Sequence, residues 1–435
     1  MKYNRPYARA RWGMMGKDFE AGVDFHRLRR ERLAKAQAAI KARGLGAILC
    51  FDFDSIRYMC GTTILEVFRD FMIQYCVCPA EGKPVLFDSA VPAKRISAPW
   101  MEDRMHAPIS VLKGALPPEH EVPAKFAQQI KRVLVDLGVE KQPLGIDVME
   151  FTMQKALEKE GIILADGVQA ILDAREIKTA DEIELLKQCS AITDGVHDAL
   201  SRAIRPGVKE NDLVAIATQK FFELGADRVG GIQAVTGPRG LPHSHTPSDR
   251  LIQPGDMVFI DPLGSFMGYR TCYYRCYVCG KPNRYQEEAY ERASKWLSAS
   301  IDLIRPGATT AEIAKAWPRA EEFGYKNEEE AFLQQFGHGI GVGLWERPII
   351  SRRFSMEHPQ TIRENMVFAV ETWSGAEDGS GAARIEELVV VTKDGCQLIT
   401  NFPSDHLISC GLPGHGPWEL CDFGRPRLSR LYWAG

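Results

Sequence analysis

A chain of 435 residues, 45% apolar and 26% charged, has the composition of a globular protein and the length for two cores. Its net charge of −3 argues against nucleic acid or an acidic membrane surface as a partner. No run of ~18 apolar residues occurs, so no membrane-spanning helix is expected.

The first 24 residues are polar and Arg-rich, without the apolar stretch of a secretory signal, and read as an arm. Phe25 to Arg43 has helical periodicity, and Gly46 to Phe51 reads as a buried strand. A short helix from Asp54 ends near Gly61; strands follow at Phe71–Cys78 and Lys83–Phe87. A helix over 123–137 leads to a strand at Leu144–Asp147. Strands alternating with helices predict a small α/β domain over residues 25–173.

A second domain is expected over 174–404. Thr179-Ala-Asp-Glu182 has capping-box spacing and opens a long amphipathic helix that stops at Arg205-Pro206-Gly207. The segment Ala203-Ile-Arg-Pro-Gly207 recurs as Leu303-Ile-Arg-Pro-Gly307, from 204 to 304, an offset of 100 residues. A long helix precedes each copy and a second helix follows. Two duplicated halves related by a pseudo-twofold axis are therefore predicted, with a groove between their sheets. Between the copies, Asp256–Asp261 reads as a buried strand ending in a carboxylate, Gly264–Gly268 as a loop, and Tyr269–Val278 as the return strand of a hairpin.

The ionisable residues in Gly-flanked or strand-like contexts after residue 240 are His243, His245, Asp261, His338, Glu371 and Glu386. Asp261 and Glu371 each end an apolar run, and Glu386 opens one. Singly, each has a bland reading: Asp261 opening a turn, His338 bonded within one, Glu386 in a surface pair with Arg384. Three carboxylates at strand ends are another matter, because burying one unpaired costs several kcal/mol. Together they predict a shared cation or a proton-sharing cluster. The eleven cysteines are scattered, which fits reduced thiols in a cytoplasm, and Cys272, Cys276 and Cys279 do not make a zinc pattern. Residues 405–435, rich in Gly, Pro and Trp, read as a tail that wraps a partner subunit or roofs the groove, or as a loosely held end.

The segments IQPGDMVFID, FGHGIGVG, ENMVFAVE and ARIEELVVVTKDG resemble motifs of the pita-bread metallopeptidase superfamily: methionine aminopeptidase, prolidase, aminopeptidase P, creatinase and dimethylsulfoniopropionate lyase. The resemblance spans about residues 25–405. It implies a creatinase-like α/β N-terminal domain, an α+β pita-bread C-terminal domain and a homodimer. It also implies a metal set of two Asp, one His and two Glu. Four of these fall on Asp261, His338, Glu371 and Glu386. Where the second Asp belongs, eleven residues beyond Asp261, the chain has Cys272. That puts a two-ion centre in doubt. It leaves one ion held by the other four, Cys272 as a soft ligand favouring zinc or iron over manganese, or a metal-free acid/base cluster of Asp261, His338, Glu371 and Glu386.

A second departure is Trp345, where prolidase-like members have a peptide-binding histidine. His245 matches the proton-shuttling histidine of creatinase, with His243 the alternative two residues earlier. Arg69 stands where creatinase has an arginine for the substrate carboxylate. Arg347 is a candidate second clamp, and Tyr273, Tyr274 and Trp345 are candidate aromatic walls. The resemblance thus implies a hydrolase of a C–N bond in a small carboxylate-bearing metabolite. The alternatives are a lyase, an Xaa-Pro peptidase and a non-catalytic binding protein.

Overall fold

The computed structural model describes residues 22–64, 68, 71–101, 103–241, 244–331 and 335–412. Most of the expected N-terminal arm and most of the expected tail lie outside them. The chain divides into two compact units, with Glu176 closing the first and Ile177 opening the second. Among the described residues no helix is long and apolar enough to cross a membrane.

The first unit is built on a six-stranded mixed sheet. Its central strand, Ala47–Cys50, is buried throughout, antiparallel to Gln74–Pro79 and parallel to Leu144–Ile146. The helix Phe25–Ala42 is capped by Asp24, whose carboxylate accepts from the amides of His26 and Arg27. It buries Leu28, Arg32, Ala36 and Ile40, one residue per turn.

The second unit opens on the helix Ala180–Ala203. The Thr179–Glu182 capping box forms in both directions, at 2.9 and 3.3 Å. The repeat is present down to its hydrogen bonds. Gly207 and Gly307 turn at φ +85° and +87°, a region open to glycine at little cost. The Gly207 amide donates to the Ile252 carbonyl at 3.0 Å, and the Gly307 amide to the Ile362 carbonyl at 2.9 Å. The amides of Ile252 and Ile362 return the bond to Val208 and Ala308, each at 2.8 Å. From these paired points the chain enters Met257–Phe266 in one copy and Val367–Gly375 in the other. Asp261 and Glu371 each lie nine residues past them (252 to 261, 362 to 371). The duplication therefore brings two carboxylates to equivalent places.

Each half is built on a five-stranded sheet, the first completed by a strand from the C-terminal segment. One runs Ile408–Cys410, Arg275–Cys279, Met257–Phe266, Arg228–Thr236, with Tyr269–Arg270 on the third strand. The other runs Glu346–Ile350, Phe336–Gly339, Val367–Gly375, Ala382–Val391, Cys396–Leu398. A shared core that includes Phe259, Cys276, Phe368, Ile385 and Val389 packs under the helix Arg284–Ile301.

Several expectations need correction. Asp261, Glu371 and Glu386 are not at strand ends; each lies inside a strand buried along nearly its whole length. A carboxylate normally marks where burial stops, and here burial continues past it. The expected loop Gly264–Gly268 is strand as far as Phe266, closed by a two-residue turn with Met267 at φ 51° and Gly268 at φ 87°. Positive φ at both positions matches the twist of a tight hairpin. The return strand is broken into Tyr269–Arg270 and Arg275–Cys279. Between them the Tyr273 hydroxyl and carbonyl bond Asp194 and His197, and the Tyr274 hydroxyl bonds Glu371, so the segment leaves the ladder. In the expected tail, Ile408–Cys410 pairs parallel with Arg275–Cys279.

Gly264 shows why the first-half strand tolerates no side chain there. A Cβ would overlap the Phe221 ring of the helix Glu210–Glu223. Gly264→Ala should destabilise the protein by about 1–3 kcal/mol, read as a lower urea midpoint. Adding Phe221→Leu should recover part of the loss. An unchanged midpoint in Gly264→Ala would show that the two elements are not in the contact described.

Candidate active site

Four strands and one unpaired segment bring the candidate side chains together. Glu371 and Glu386 are directly opposite each other across their two strands, and Phe336, two residues before His338, pairs with Glu371 on the other side. The glycines around His338 have a steric reason. A Cβ on Gly339 would overlap the Arg347 carbonyl, and one on Gly341 would come within 2.6 Å of the Glu346 carboxylate. The Gly-His-Gly-Ile-Gly run thus lets the strand Glu346–Ile350 close down beside His338. Cys272 comes from the break in the return strand.

All five candidate ligands are buried: Asp261, Cys272, His338, Glu371 and Glu386. Donor atoms of Cys272, His338 and Glu386 all lie within 4.8 Å of one another. The His338 Nδ1 lies 3.0 Å from the Gly339 carbonyl. A carbonyl only accepts, so Nδ1 carries the hydrogen and Nε2 keeps its lone pair, without a hydrogen-bond partner. Both Glu386 carboxylate oxygens and Asp261 Oδ1 also lack a partner. The other two acids are better served. The Gln233 amide donates to Asp261 Oδ2 at 3.0 Å. The Tyr274 hydroxyl donates to Glu371 Oε2, and the Arg384 guanidinium lies 3.5 Å from the same oxygen.

Burial sets the protonation states. It pushes Asp261 up to about 7, against the pull of Arg384 and with the push of Glu371. Burial also raises Glu371, opposed by Arg384 and the Tyr274 hydrogen bond. Glu386 is driven well above the usual carboxylate range by burial and then by the charges of Glu371 and Asp261. The Cys272 thiol goes well above its ordinary value by burial and the neighbouring carboxylates. Burial lowers His338 to about 4, so its ring is neutral at physiological pH. Without a cation the cluster therefore favours its protonated acids. Orphaned buried acceptors of oxygen, nitrogen and sulfur type meeting in one place are a donor set that fits a divalent ion.

Around this centre the sequence expectations divide. His245 is exposed; partial desolvation and then the Arg384 charge hold its imidazole below the ordinary value. Trp345 is exposed, its ring centroid 5.8 Å from His338 and 5.3 Å from Phe336. Arg347 is half-buried in the strand Glu346–Ile350. Tyr273 is not a groove wall: it is fully buried, its hydroxyl donating to Asp194 at 2.5 Å. Tyr274 is buried as well and serves as a hydrogen-bond donor to Glu371. Arg69 and His243 lie outside the described residues.

Three participants are absent from the sequence reading. Arg384 was weighed only as a surface partner of Glu386, yet it is 3% exposed and packed between Phe259 and Tyr274, with its guanidinium 4.2 and 4.4 Å from the ring centroids. Its place two residues before Glu386, on a strand apolar but for these two and Glu387, was the available signal. Gln233 carried none. The third is Lys178, which forms a buried 3.1 Å ion pair with Glu346. The Gly343 amide donates to the same carboxylate at 2.9 Å, so the pair secures the turn that carries Trp345.

Residues 184–393 match the family model described as metallopeptidase family M24. The Xaa-Pro dipeptidase of Pyrococcus furiosus is 30% identical over 61% of this chain and 73% of its own length. The probable dipeptidase PepE of Mycobacterium tuberculosis is 28% identical over 57% of this chain, and the match spans 64% of that relative. The dimethylsulfoniopropionate lyase DddP of Roseovarius nubinhibens is 23% identical over 88% of this chain and 87% of its own. Among solved structures, a prolidase from Thermococcus sibiricus superposes with a TM-score of 0.73, at 23% identity, over 88% of this chain and 99% of that one. At that identity the likeness concerns the fold: an N-terminal domain followed by a pita-bread domain.

The Asp261 shift has a consequence for stability. Folding favours the protonated acid, so this residue imposes no penalty below its unfolded value of 3.8, and the penalty grows until pH reaches about 7. A shift of this size corresponds to roughly 4 kcal/mol lost between those limits in chelator-treated protein. Asp261→Asn should therefore gain stability relative to the wild type as pH rises from 5 to 8, measured by urea unfolding of both. Parallel pH profiles would rule out the buried carboxyl as the source.

Proposed function

The chain belongs to metallopeptidase family M24, and on that premise we propose that it hydrolyses a C–N bond, amide or amidine-like, in a small carboxylate-bearing metabolite. The observation that carries this reading is the set of buried, unpartnered atoms Asp261 Oδ1, His338 Nε2 and both oxygens of Glu386. In this reading Asp261, His338 and Glu386, whose buried atoms lack partners, would hold a single divalent ion, while Glu371 stays tied to Tyr274 and Arg384. Bound there, such an ion supplies Lewis acidity to the substrate and acidifies a water molecule.

The chain's own groups then have distinct tasks. The Gly339 carbonyl keeps His338 in one tautomer and presents Nε2. Tyr274 and Arg384 fix the Glu371 carboxylate. His245, with its lowered pKa, is neutral at neutral pH. It accepts a proton from the attacking water and returns it to the leaving nitrogen, since the first gain at Nε2 or Nδ1 matches the later loss. Trp345 bounds the site where a peptide-binding histidine stands in prolidases, which favours a small substrate over an Xaa-Pro peptide. Arg347 is the candidate carboxylate anchor.

One observation favours a second reading. The similarity to the DddP lyase extends over 88% of this chain, against 61% for the P. furiosus dipeptidase. An eliminating enzyme would use the same histidine to withdraw a carbon-bound proton.

The two are separated by the products. The purified protein is offered dipeptides, small amides, guanidino acids and sulfonium carboxylates in oxygen-18 water, before and after chelation. A hydrolase incorporates one solvent oxygen and releases amine or ammonia; a lyase incorporates none and releases an alkene acid. Turnover should be lost on chelation, and His245→Ala should lower kcat by roughly 10²–10⁴-fold with the urea midpoint unchanged. No turnover of any of these compounds by the metal-loaded protein would end both readings.

A further inference from the structure

We propose that Cys272 supplies a thiolate to a one-ion nitrogen–oxygen–sulfur site with His338 and Glu386, suited to zinc, cobalt or ferrous iron. This rests on reading the cluster as a cation site and adds which donor decides the ion.

The geometry singles out these three. Among the described residues they are the one group of histidine, cysteine and carboxylate side chains with all donor atoms within 4.8 Å. His338 and Glu386 are fully buried, and Nε2 and both carboxylate oxygens have no partner. Cys272 is held in place from both sides. Before it, the Thr271 amide donates to the Gly264 carbonyl at 3.0 Å; after it, the Tyr273 and Tyr274 hydroxyls are tied to Asp194 and Glu371. The segment belongs to no strand, so the direction of the thiol does not follow the alternation of a pleat.

The donor chemistry sets both the number and the kind of ion. A carboxylate at this position could hold one ion with each oxygen, whereas a cysteine thiolate binds through one sulfur and holds a second ion only by bridging. Glu371 is already bonded to Tyr274 and paired with Arg384. One tight position results. Sulfur is a soft donor, which favours zinc, cobalt and ferrous iron over manganese and magnesium. On ligation the S–H bond breaks, the metal–sulfur bond forms from the sulfur electron pair, and the proton leaves to water. No oxidant or reductant is involved.

The test is optical and needs no substrate. Chelated protein is titrated with cobalt(II). The expected result is one cobalt per chain with a near-ultraviolet thiolate-to-cobalt charge-transfer band. In Cys272→Ser the band should vanish. Zinc affinity should fall by more than the roughly 10–100-fold that losing an outer-shell partner costs, while manganese affinity changes little. X-ray absorption at the zinc edge of the wild-type protein reads the same shell without a variant, and one sulfur is expected. A bound ion with only nitrogen and oxygen neighbours, or a band that survives in Cys272→Ser, overturns the thiolate and leaves the cation site standing. Wild-type protein that takes up neither cobalt nor zinc overturns both.

Discussion

The centre of this protein is governed by the cost of keeping carboxylates away from water. Asp261, Glu371 and Glu386 are all held inside paired strands, where an unpaired charge costs several kcal/mol. The structure compensates them unequally. Glu371 has a tyrosine hydroxyl and a guanidinium; Asp261 has one amide hydrogen; Glu386 has no hydrogen-bond partner at either oxygen. Burial raises the proton affinity of the group, and the inequality marks the atoms that await a partner. Protons or a cation can satisfy them, and the two alternatives compete.

The duplicated half explains how such a costly arrangement is assembled. Matching turns at Gly207 and Gly307 feed matching strands, so Asp261 and Glu371 reach equivalent positions by equivalent paths. The chemistry comes from where the copies differ. In the second half the strand Ala382–Val391 stays continuous and delivers Arg384 and Glu386 on one face, two residues apart. In the first half the corresponding return is interrupted, and the interruption places Cys272 beside His338 and Glu386. The glycines flanking His338 then allow the next strand to approach, and the Lys178–Glu346 pair secures the turn bearing Trp345. A soft donor in the centre and an indole at its edge both depart from what the family resemblance implies, and they do so in one site.

Much of this was legible in the residues. The helix start at Thr179 follows from side chains that can satisfy free backbone amides. The repeat was visible because a helix stop needs Pro and Gly in a fixed order. Other features were not. Strand ends were misplaced because a buried acid looks, in one dimension, like a return to solvent. Tyr273 looked like a wall residue because periodicity does not tell a core tyrosine bonded to Asp194 from one lining a groove. Arg384 looked like a surface ion because its strand context hints at burial but does not name the two aromatic rings that enclose it.

What the sequence determined alone was the list of donors and the family they belong to, because residue type and short-range spacing dictate caps, turns, strands and motif identity. What only the tertiary structure decided was which donors are free. Glu371 and Glu386 are both acids on buried strands, yet one is committed to Tyr274 and Arg384 and the other is open to Cys272 and His338. That distinction depends on contacts between residues up to 114 positions apart (272 to 386), and long-range partners follow from how the two halves pack rather than from any local pattern.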